Sequence, residues 1–124
     1  LLKKMKFFLN KTLIVGIDEI SKSFVSLENE LANEGMTITG FVDTNHEYLG
    51  KNVGKFAVLG NLKYLIDIMK IEEINYVLFS LKSISLPEIM NYKDILGLNK
   101  KKYKIIPDFV SVKDGRIQYL NVSD

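Results

Sequence analysis

Strand-like apolar runs alternate with segments of helical periodicity along most of this 124-residue chain. The stretch INYVLFS, residues 74–80, is the most informative of them, because its apolar residues follow one another without the alternation of a half-exposed strand. Such a strand is typical of a parallel sheet that helices cover on both faces. Residue type and turn signals predict further strands at residues 12–16, 36–43, 56–59 and 102–106, with a short edge strand in 115–122.

Three helices are predicted between these strands. Two show apolar residues at helical spacing, in residues 20–31 and 62–69, and Gly35 is placed to close the first. The third begins with Ser85 and Glu88 spaced as a capping box, has Pro87 in its first turn and ends at Gly97. This order of strands and helices predicts a single α/β domain with a parallel sheet and right-handed crossovers.

Composition excludes several classes of protein. The net charge of +2 is too small to argue for nucleic acid, and the absence of cysteine excludes disulfides and thiolate metal sites. No apolar run approaches the ~18 residues of a membrane span. His46 is the single histidine and lies in a polar loop, which disfavours a histidine metal site or a Ser-His-Asp triad. Asp43, Glu47 and Asp108 are a further candidate carboxylate group, with plain surface solvation as the alternative.

The first eleven residues, LLKKMKFFLNK, combine apolar side chains with four lysines. Such a segment is typical of a membrane surface or of the cytoplasmic end of a membrane helix, and equally of a short linker or packed helix. The chain begins with Leu1, so we expect either a part of a longer protein or a trimmed N-terminus. We therefore expect a basic lead-in at residues 1–11 and one domain at 12–124.

In a parallel α/β sheet the ligand crevice lies beyond the carboxyl ends of the strands. The helix that follows Gly16 would present backbone N–H groups to a phosphate, and Asp43 would accept hydrogen bonds from ribose hydroxyls. Ser80 and Ser83 would bind a base or sugar, with Pro107 and Asp108 at the same edge. The candidate nucleotide-binding residues are Gly16, Ile17, Asp18, Ser21, Asp43, Ser80, Leu81 and Pro107.

The loop after Gly16 departs from the dinucleotide fingerprint Gly-x-Gly-x-x-Gly, because Asp18 and Ser21 occupy its second and third glycine positions. Two unit charges ~5 Å apart repel by about 3 kcal/mol at an effective dielectric constant of ~20. Asp18 and Glu19 would therefore weaken phosphate binding, whereas a carboxylate in the first turn caps a helix without any ligand.

The motifs TLIVG, TITGFVDTN, GKFAVLGNLKYL, INYVLFSL and YKIIPDF, taken in order, resemble one recurring module. It is the CoA-binding-like Rossmann domain of bacterial polysaccharide-biosynthesis membrane proteins, and the resemblance covers residues 12 to about 110. It implies a Rossmann-like, doubly wound, mostly parallel sheet with helices on both faces. Gly16 matches the first glycine of the family loop and Asp43 the acidic end of the second strand. Asp18, Ser21 and the segment 80–82 depart from the pattern in the ligand loop.

The resemblance also implies a setting on the cytoplasmic face of the membrane. Such domains follow membrane helices and precede a polyprenyl-phosphate sugar-1-phosphate transferase or a nucleotide-sugar 4,6-dehydratase. Our first hypothesis is a non-catalytic regulatory or scaffolding domain that senses a nucleotide or nucleotide-sugar, or that mediates homo-oligomer contacts. The alternatives are a domain that binds NAD(H) or another nucleotide during catalysis, and the N-terminal sugar-binding domain of an acyltransferase.

Overall fold

The computed structural model describes residues 8–122. Its α-helices are α1 (Glu19–Lys22), α2 (Glu28–Asn33), α3 (Leu65–Ile71) and α4 (Leu86–Leu98), with 3₁₀ turns at Ser23–Ser26 and Leu62–Tyr64. Its strands are β1 (Asn10–Val15), β2 (Met36–Asp43), β3 (Asn52–Val53), β4 (Phe56–Asn61), β5 (Tyr76–Ser80), β6 (Lys102–Ile106), β7 (Val112–Lys113) and β8 (Arg116–Ile117).

Six of the strands form one sheet in the order β3-β4-β2-β1-β5-β6. All neighbours are parallel except β3, which pairs antiparallel with β4. Without β3 this is the Rossmann order 3-2-1-4-5, so the predicted doubly wound fold is confirmed. Strand β2 lies on one side of β1, and β5 lies on the other side. The topological switch point therefore lies between the carboxyl ends of β1 and β5.

Two apolar clusters cover the two faces of the sheet. On one face, Phe24 and Leu31 from the first crossover pack with Ile14, Phe41 and Leu78 of the strands. On the other face α3 and α4 contribute Leu65, Met69, Ile89 and Leu96, which pack on Leu13, Val15, Val77 and Phe79. Each fully buried large side chain stabilises the fold by roughly 1.5–3 kcal/mol. Continuous burial of β5 on both faces is why its sequence lacks alternation.

The first predicted helix is interrupted in the structure. A 3₁₀ turn at Ser23–Ser26 separates α1 from α2. The Ser23 hydroxyl donates to the carbonyl oxygen of Ile20 at 2.5 Å, and the Ser26 hydroxyl donates to that of Ser23 at 2.8 Å. Side-chain bonds of this kind compete with the helical hydrogen bonds of the backbone, which explains the break. Gly35 adopts φ +79° after α2, as its predicted capping role requires.

Two further predictions need correction. Helix α4 continues past Gly97 to Leu98, and the residue with left-handed backbone is Lys100 at φ 58°. The predicted edge strand in 115–122 is instead the second arm of a separate hairpin, in which β7 pairs with β8. Only Leu120 reaches the main sheet, through an antiparallel bridge to Ile105. Asp114 and Gly115 both have positive φ in the hairpin turn, a conformation that fixes a tight two-residue connection.

Strand β1 begins at Asn10, two residues before the predicted start, because Asn10 and Lys11 pair with Met36 and Thr37. Most of the predicted lead-in, residues 1–7, lies outside the described residues. Within residues 8–122, no helix is both long and apolar enough to cross a membrane.

Candidate functional site

Gly16 and Ser80 lie at the carboxyl ends of β1 and β5, directly at the switch point of the sheet. The Gly16 amide donates to the carbonyl oxygen of Val42 at 2.8 Å, and its φ of +97° suits glycine alone. A Cβ at this position would lie 2.5 Å from Cβ of Ser83. The loop after β1 and the turn after β5 are therefore in direct contact.

Asp18 caps helix α1. Its Oδ1 accepts hydrogen bonds from the backbone amides of Ile20 and Ser21, both at 2.8 Å. The Ser21 hydroxyl accepts from the Asp18 amide at 3.0 Å, which completes a reciprocal capping box. The two residues that replace glycines of the fingerprint thus act together to begin the helix.

The second oxygen of Asp18 binds the opposite loop. Its Oδ2 accepts from the hydroxyl of Ser80 at 2.7 Å and from that of Ser83 at 2.5 Å. Burial acts to raise the pKa of Asp18, but hydrogen bonds from Ser83, Ser21, Ser80 and Ile20 outweigh it and hold the pKa below its ordinary value of 3.8. A carboxylate of the protein itself therefore accepts the helix N–H groups and the two hydroxyls.

An ion pair spans the outside of the same loops. Lys82, in the turn after β5, lies with its Nζ 2.9 Å from Oε1 of Glu19 in α1. The hydrogen bond to Glu19 is the main reason that the pKa of Lys82 is raised. Both side chains are largely exposed, so solvent screens this pair.

Asp43 ends β2, as predicted, but its side chain is only 3% exposed and binds its own loop. Its Oδ1 accepts from the amide of Asn45 at 3.2 Å and its Oδ2 from the amide of Tyr48 at 2.9 Å. The carboxylate thus fixes the loop at residues 44–48, an Asx-type arrangement. Its expected contact with a ribose stays a prediction.

The remaining candidates line the same edge of the sheet. Ile17 packs against the cluster that contains Ile14, and Leu81 packs on the opposite cluster. The Leu81 amide donates to the carbonyl oxygen of Ile106 at 3.0 Å. Pro107 is buried directly after Ile106, the register partner of Ser80. The structure thus brings Gly16, Asp18, Ser21 and Ser80 together, with Pro107 one strand away.

Two minor candidates receive no support from the geometry. His46 is exposed in the loop after β2. Asp43, Glu47 and Asp108 do not form a metal-type cluster, since the part of the chain from 8 to 122 contains no such group of three or more.

Sequence reasoning placed Ser83 at this edge but missed its bond to Asp18. The Ser83 amide donates to the Ser80 carbonyl at 3.0 Å, and this turn brings both hydroxyls to one side. The i, i+3 serine spacing after a buried strand is a signal for such a turn, although nothing in it identifies the acceptor 65 residues away.

The same fold occurs in solved structures. RSP, a Rex-family repressor, has a TM-score of 0.62 and 15% identity over 92% of this chain and 53% of its own. Its complex with β-NAD⁺ and operator DNA gives a TM-score of 0.60 and 16% identity, over 93% of this chain and 54% of that chain. UDP-D-quinovosamine 4-dehydrogenase from Vibrio fischeri gives 0.55 and 18%, over 92% of this chain and 95% of that chain.

These TM-scores show a shared Rossmann-like fold. This chain spans about half the length of the repressor, whereas it and the dehydrogenase chain are of similar length. No protein-family profile and no curated protein sequence matches the chain.

Proposed function

We propose that this chain is a non-catalytic regulatory or scaffolding domain of a membrane-bound enzyme of bacterial polysaccharide synthesis. The observation on which this rests is the Asp18 carboxylate, which binds two helix N–H groups and the hydroxyls of Ser80 and Ser83. In a nucleotide-binding Rossmann domain the phosphate accepts hydrogen bonds at this helix terminus. Here a side chain of the protein supplies the negative charge.

Electrostatics supports the same proposal. A pyrophosphate at the Gly16 loop would lie beside the ionised Asp18 and close to Glu19. It would have to displace hydrogen bonds that already satisfy the buried hydroxyl of Ser80. Both effects oppose binding, so the domain keeps the fold of a nucleotide-binding protein with its phosphate site internally occupied.

The polysaccharide setting is supported by the order of the sequence motifs and by the UDP-sugar dehydrogenase among the proteins of this fold. In this setting the basic N-terminal residues are a lead-in from the membrane, and the domain itself begins with β1 at Asn10. The coding sequence on both sides of this segment tests the setting. Membrane helices before it and a sugar-phosphate transferase or a dehydratase domain after it are expected, and unrelated neighbours on both sides would refute the setting.

A second candidate function is binding of NAD(H) or a nucleotide-sugar. It is favoured by the retained φ of +97° at Gly16 and by the repressor of the same fold that was solved with β-NADH. Calorimetric titration with NADH, CoA and a UDP-sugar separates the two candidates. We expect a dissociation constant no tighter than about 100 μM for the native chain, and a tighter constant would favour the second candidate.

The matched variant in this titration is Asp18→Gly, which restores the second glycine of the fingerprint. Binding by the variant alone would show that one carboxylate closes a working nucleotide loop. Absence of measurable binding by both proteins would favour a scaffolding domain.

A further inference from the structure

A groove outside the Asp18 site lies between helix α1 and the loop that follows β2. It has a volume of about 360 Å³ and is lined by Lys22, Val25, Tyr48, Asn52, Val53 and Gly54. This volume lies at the lower end of the range of ligand pockets, about 300–1,000 Å³. Val25 and Val53 give it an apolar floor, and Asn52 adds an amide.

Two lysines lie near the ring of Tyr48: Lys22 lines the groove, and Lys51 directly precedes its lining residue Asn52. Nζ of Lys22 lies 4.9 Å from the ring centroid, and Nζ of Lys51 lies 5.9 Å from it. Lys22 also donates a hydrogen bond of 2.9 Å to the Tyr48 hydroxyl. Both ammonium groups are thus held beside one aromatic side chain.

Neither lysine has a carboxylate partner among residues 8–122. The neighbouring Lys55 is different, because it pairs with Glu28 at 2.8 Å. Asp18 acts on Lys22 only through space, and its oxygens already accept four hydrogen bonds. The groove and the loop beside it therefore carry two lysines that form no ion pair with a carboxylate among residues 8–122.

The fold holds this arrangement in place. Asp43 accepts the hydrogen bond of the Tyr48 amide, and the Lys51 amide donates to the Tyr48 carbonyl at 3.0 Å. On the other wall, Gly54 packs so closely that a Cβ there would lie 2.9 Å from Cγ1 of Val25. The buried Asp43 thus serves to position Tyr48.

We propose that this groove binds a small organic phosphate, with its phosphate group held by Lys22 and attracted by Lys51, and its apolar part on Val25 and Val53. Two ammonium groups without carboxylate partners attract a dianion, and the apolar floor removes a hydrocarbon or ring surface from water. The inference goes beyond the proposed function, since it needs no phosphate at the Asp18 site.

NMR titration of the isotope-labelled 124-residue chain with phenyl phosphate tests this assignment. We expect saturable shifts at Val25, Tyr48, Asn52 and Val53, with inorganic phosphate about fivefold weaker or more because it lacks an apolar part. Phenol, which lacks the charge, is expected to produce no saturable shift. Native protein that responds to neither phosphate would refute the assignment.

Variants distinguish phosphate binding in this groove from nonspecific attraction of phosphate to surface lysines. Lys22→Gln combined with Lys51→Gln is expected to weaken phenyl phosphate binding about tenfold or more. Lys63→Gln is the matched control, because Lys63 also lies over a tyrosine ring, that of Tyr64 at 5.1 Å, but lines no part of this groove. Equal losses in the control and the double variant would overturn the assignment.

Lys82→Gln completes the set, because Lys82 lies beside the Gly16 loop, where it pairs with Glu19, and lines no part of the groove. Phenyl phosphate binding by Lys82→Gln should stay within about twofold of native. Loss of binding in Lys82→Gln, with the lysine double variant unaffected, would place the ligand beside the Gly16 loop and refute the groove.

Discussion

The Ser80 hydroxyl donates a hydrogen bond of 2.7 Å to Oδ2 of Asp18, although 62 residues separate the two along the chain. This bond joins the ends of β1 and β5, the two strands between which a Rossmann-type sheet reverses its winding. The place where related architectures bind a phosphate is here a structural contact of the domain.

Removal of the Asp18 carboxylate should destabilise the domain. Asp18→Ala deletes the cap of α1, worth about 1 kcal/mol, and leaves the buried Ser80 hydroxyl without its acceptor, which costs a further ~1–3 kcal/mol. We expect the free energy of unfolding to fall by roughly 2–4 kcal/mol in urea titrations. Asp94→Ala, at an exposed position of α4, is the control and should change it by less than about 0.5 kcal/mol. Equal effects of the two substitutions would contradict the assignment.

The stability should depend on the ionisation of the same group. Because hydrogen bonds lower the pKa of Asp18 in the folded protein, its contribution is fully present above the ordinary value of 3.8. It is lost as the pH falls through the lower folded pKa. The unfolding free energy of the native chain should therefore drop from about pH 5 towards pH 2 more steeply than that of Asp18→Asn. Parallel curves for the two proteins would show that Asp18 is not stabilised as an anion.

Gly16→Ala tests the contact between the two loops. The added Cβ would meet Ser83 and also adopt a left-handed backbone, so we expect a loss of about 2–4 kcal/mol. Gly50→Ala is the matched control: its φ is +75°, but no atom lies within 4 Å of the added Cβ. It should cost only the backbone strain, about 1–2 kcal/mol.

A double-mutant cycle isolates the steric part of the Gly16 effect. In a Ser83→Gly background the contact at 2.5 Å is absent and only the looser contact with Cβ of Ser80 at 3.3 Å remains, so the cost of Gly16→Ala should fall towards that of the control. An unchanged cost in that background would mean that the loops do not pack as described.

Asp43→Ala should loosen the loop that follows β2. It removes the acceptor of the Asn45 and Tyr48 amides and should lower stability by about 1–3 kcal/mol. Hydrogen exchange should accelerate at residues 44–51 more than elsewhere. Glu47→Ala, exposed in the same loop, should leave the exchange rates unchanged. Faster exchange in both variants would argue against a special role for Asp43.

Sequence reasoning predicted the main strands and the parallel sheet because these depend on local pattern. The continuous apolar run of β5 indicates burial on both faces, and Gly35 indicates the end of a helix. Each signal is contained within a few residues of sequence. It could not predict the break in the first helix, because the apolar spacing continues through Ser23–Ser26 while the interruption comes from serine hydroxyls. The prediction of an edge strand in 115–122 was wrong for a related reason, since an alternating pattern does not show which strand is the pairing partner.

In the candidate site, too, the sequence predicted some positions but not the contacts between distant segments. Gly16, Asp18 and Ser80 are placed by the rule that ligand crevices follow the carboxyl ends of parallel strands. The capping role of Asp18 was also expected from its position. Its bonds to Ser80 and Ser83 were not, because they join segments more than 60 residues apart in the chain. Similarly, an acidic residue at the end of a strand suggests ribose binding. The sequence does not show whether its carboxylate is free or, as for Asp43, already bound to the backbone of its own loop.

The most direct test of the account follows the amide resonances of Ile20 and Ser21 during NMR titration with NADH. Because Asp18 already accepts both amides, we predict that neither resonance shifts in the native chain, whereas both shift in Asp18→Gly. Saturable shifts of these two amides in the native chain would contradict the account, since they would show that a dinucleotide phosphate displaces the carboxylate.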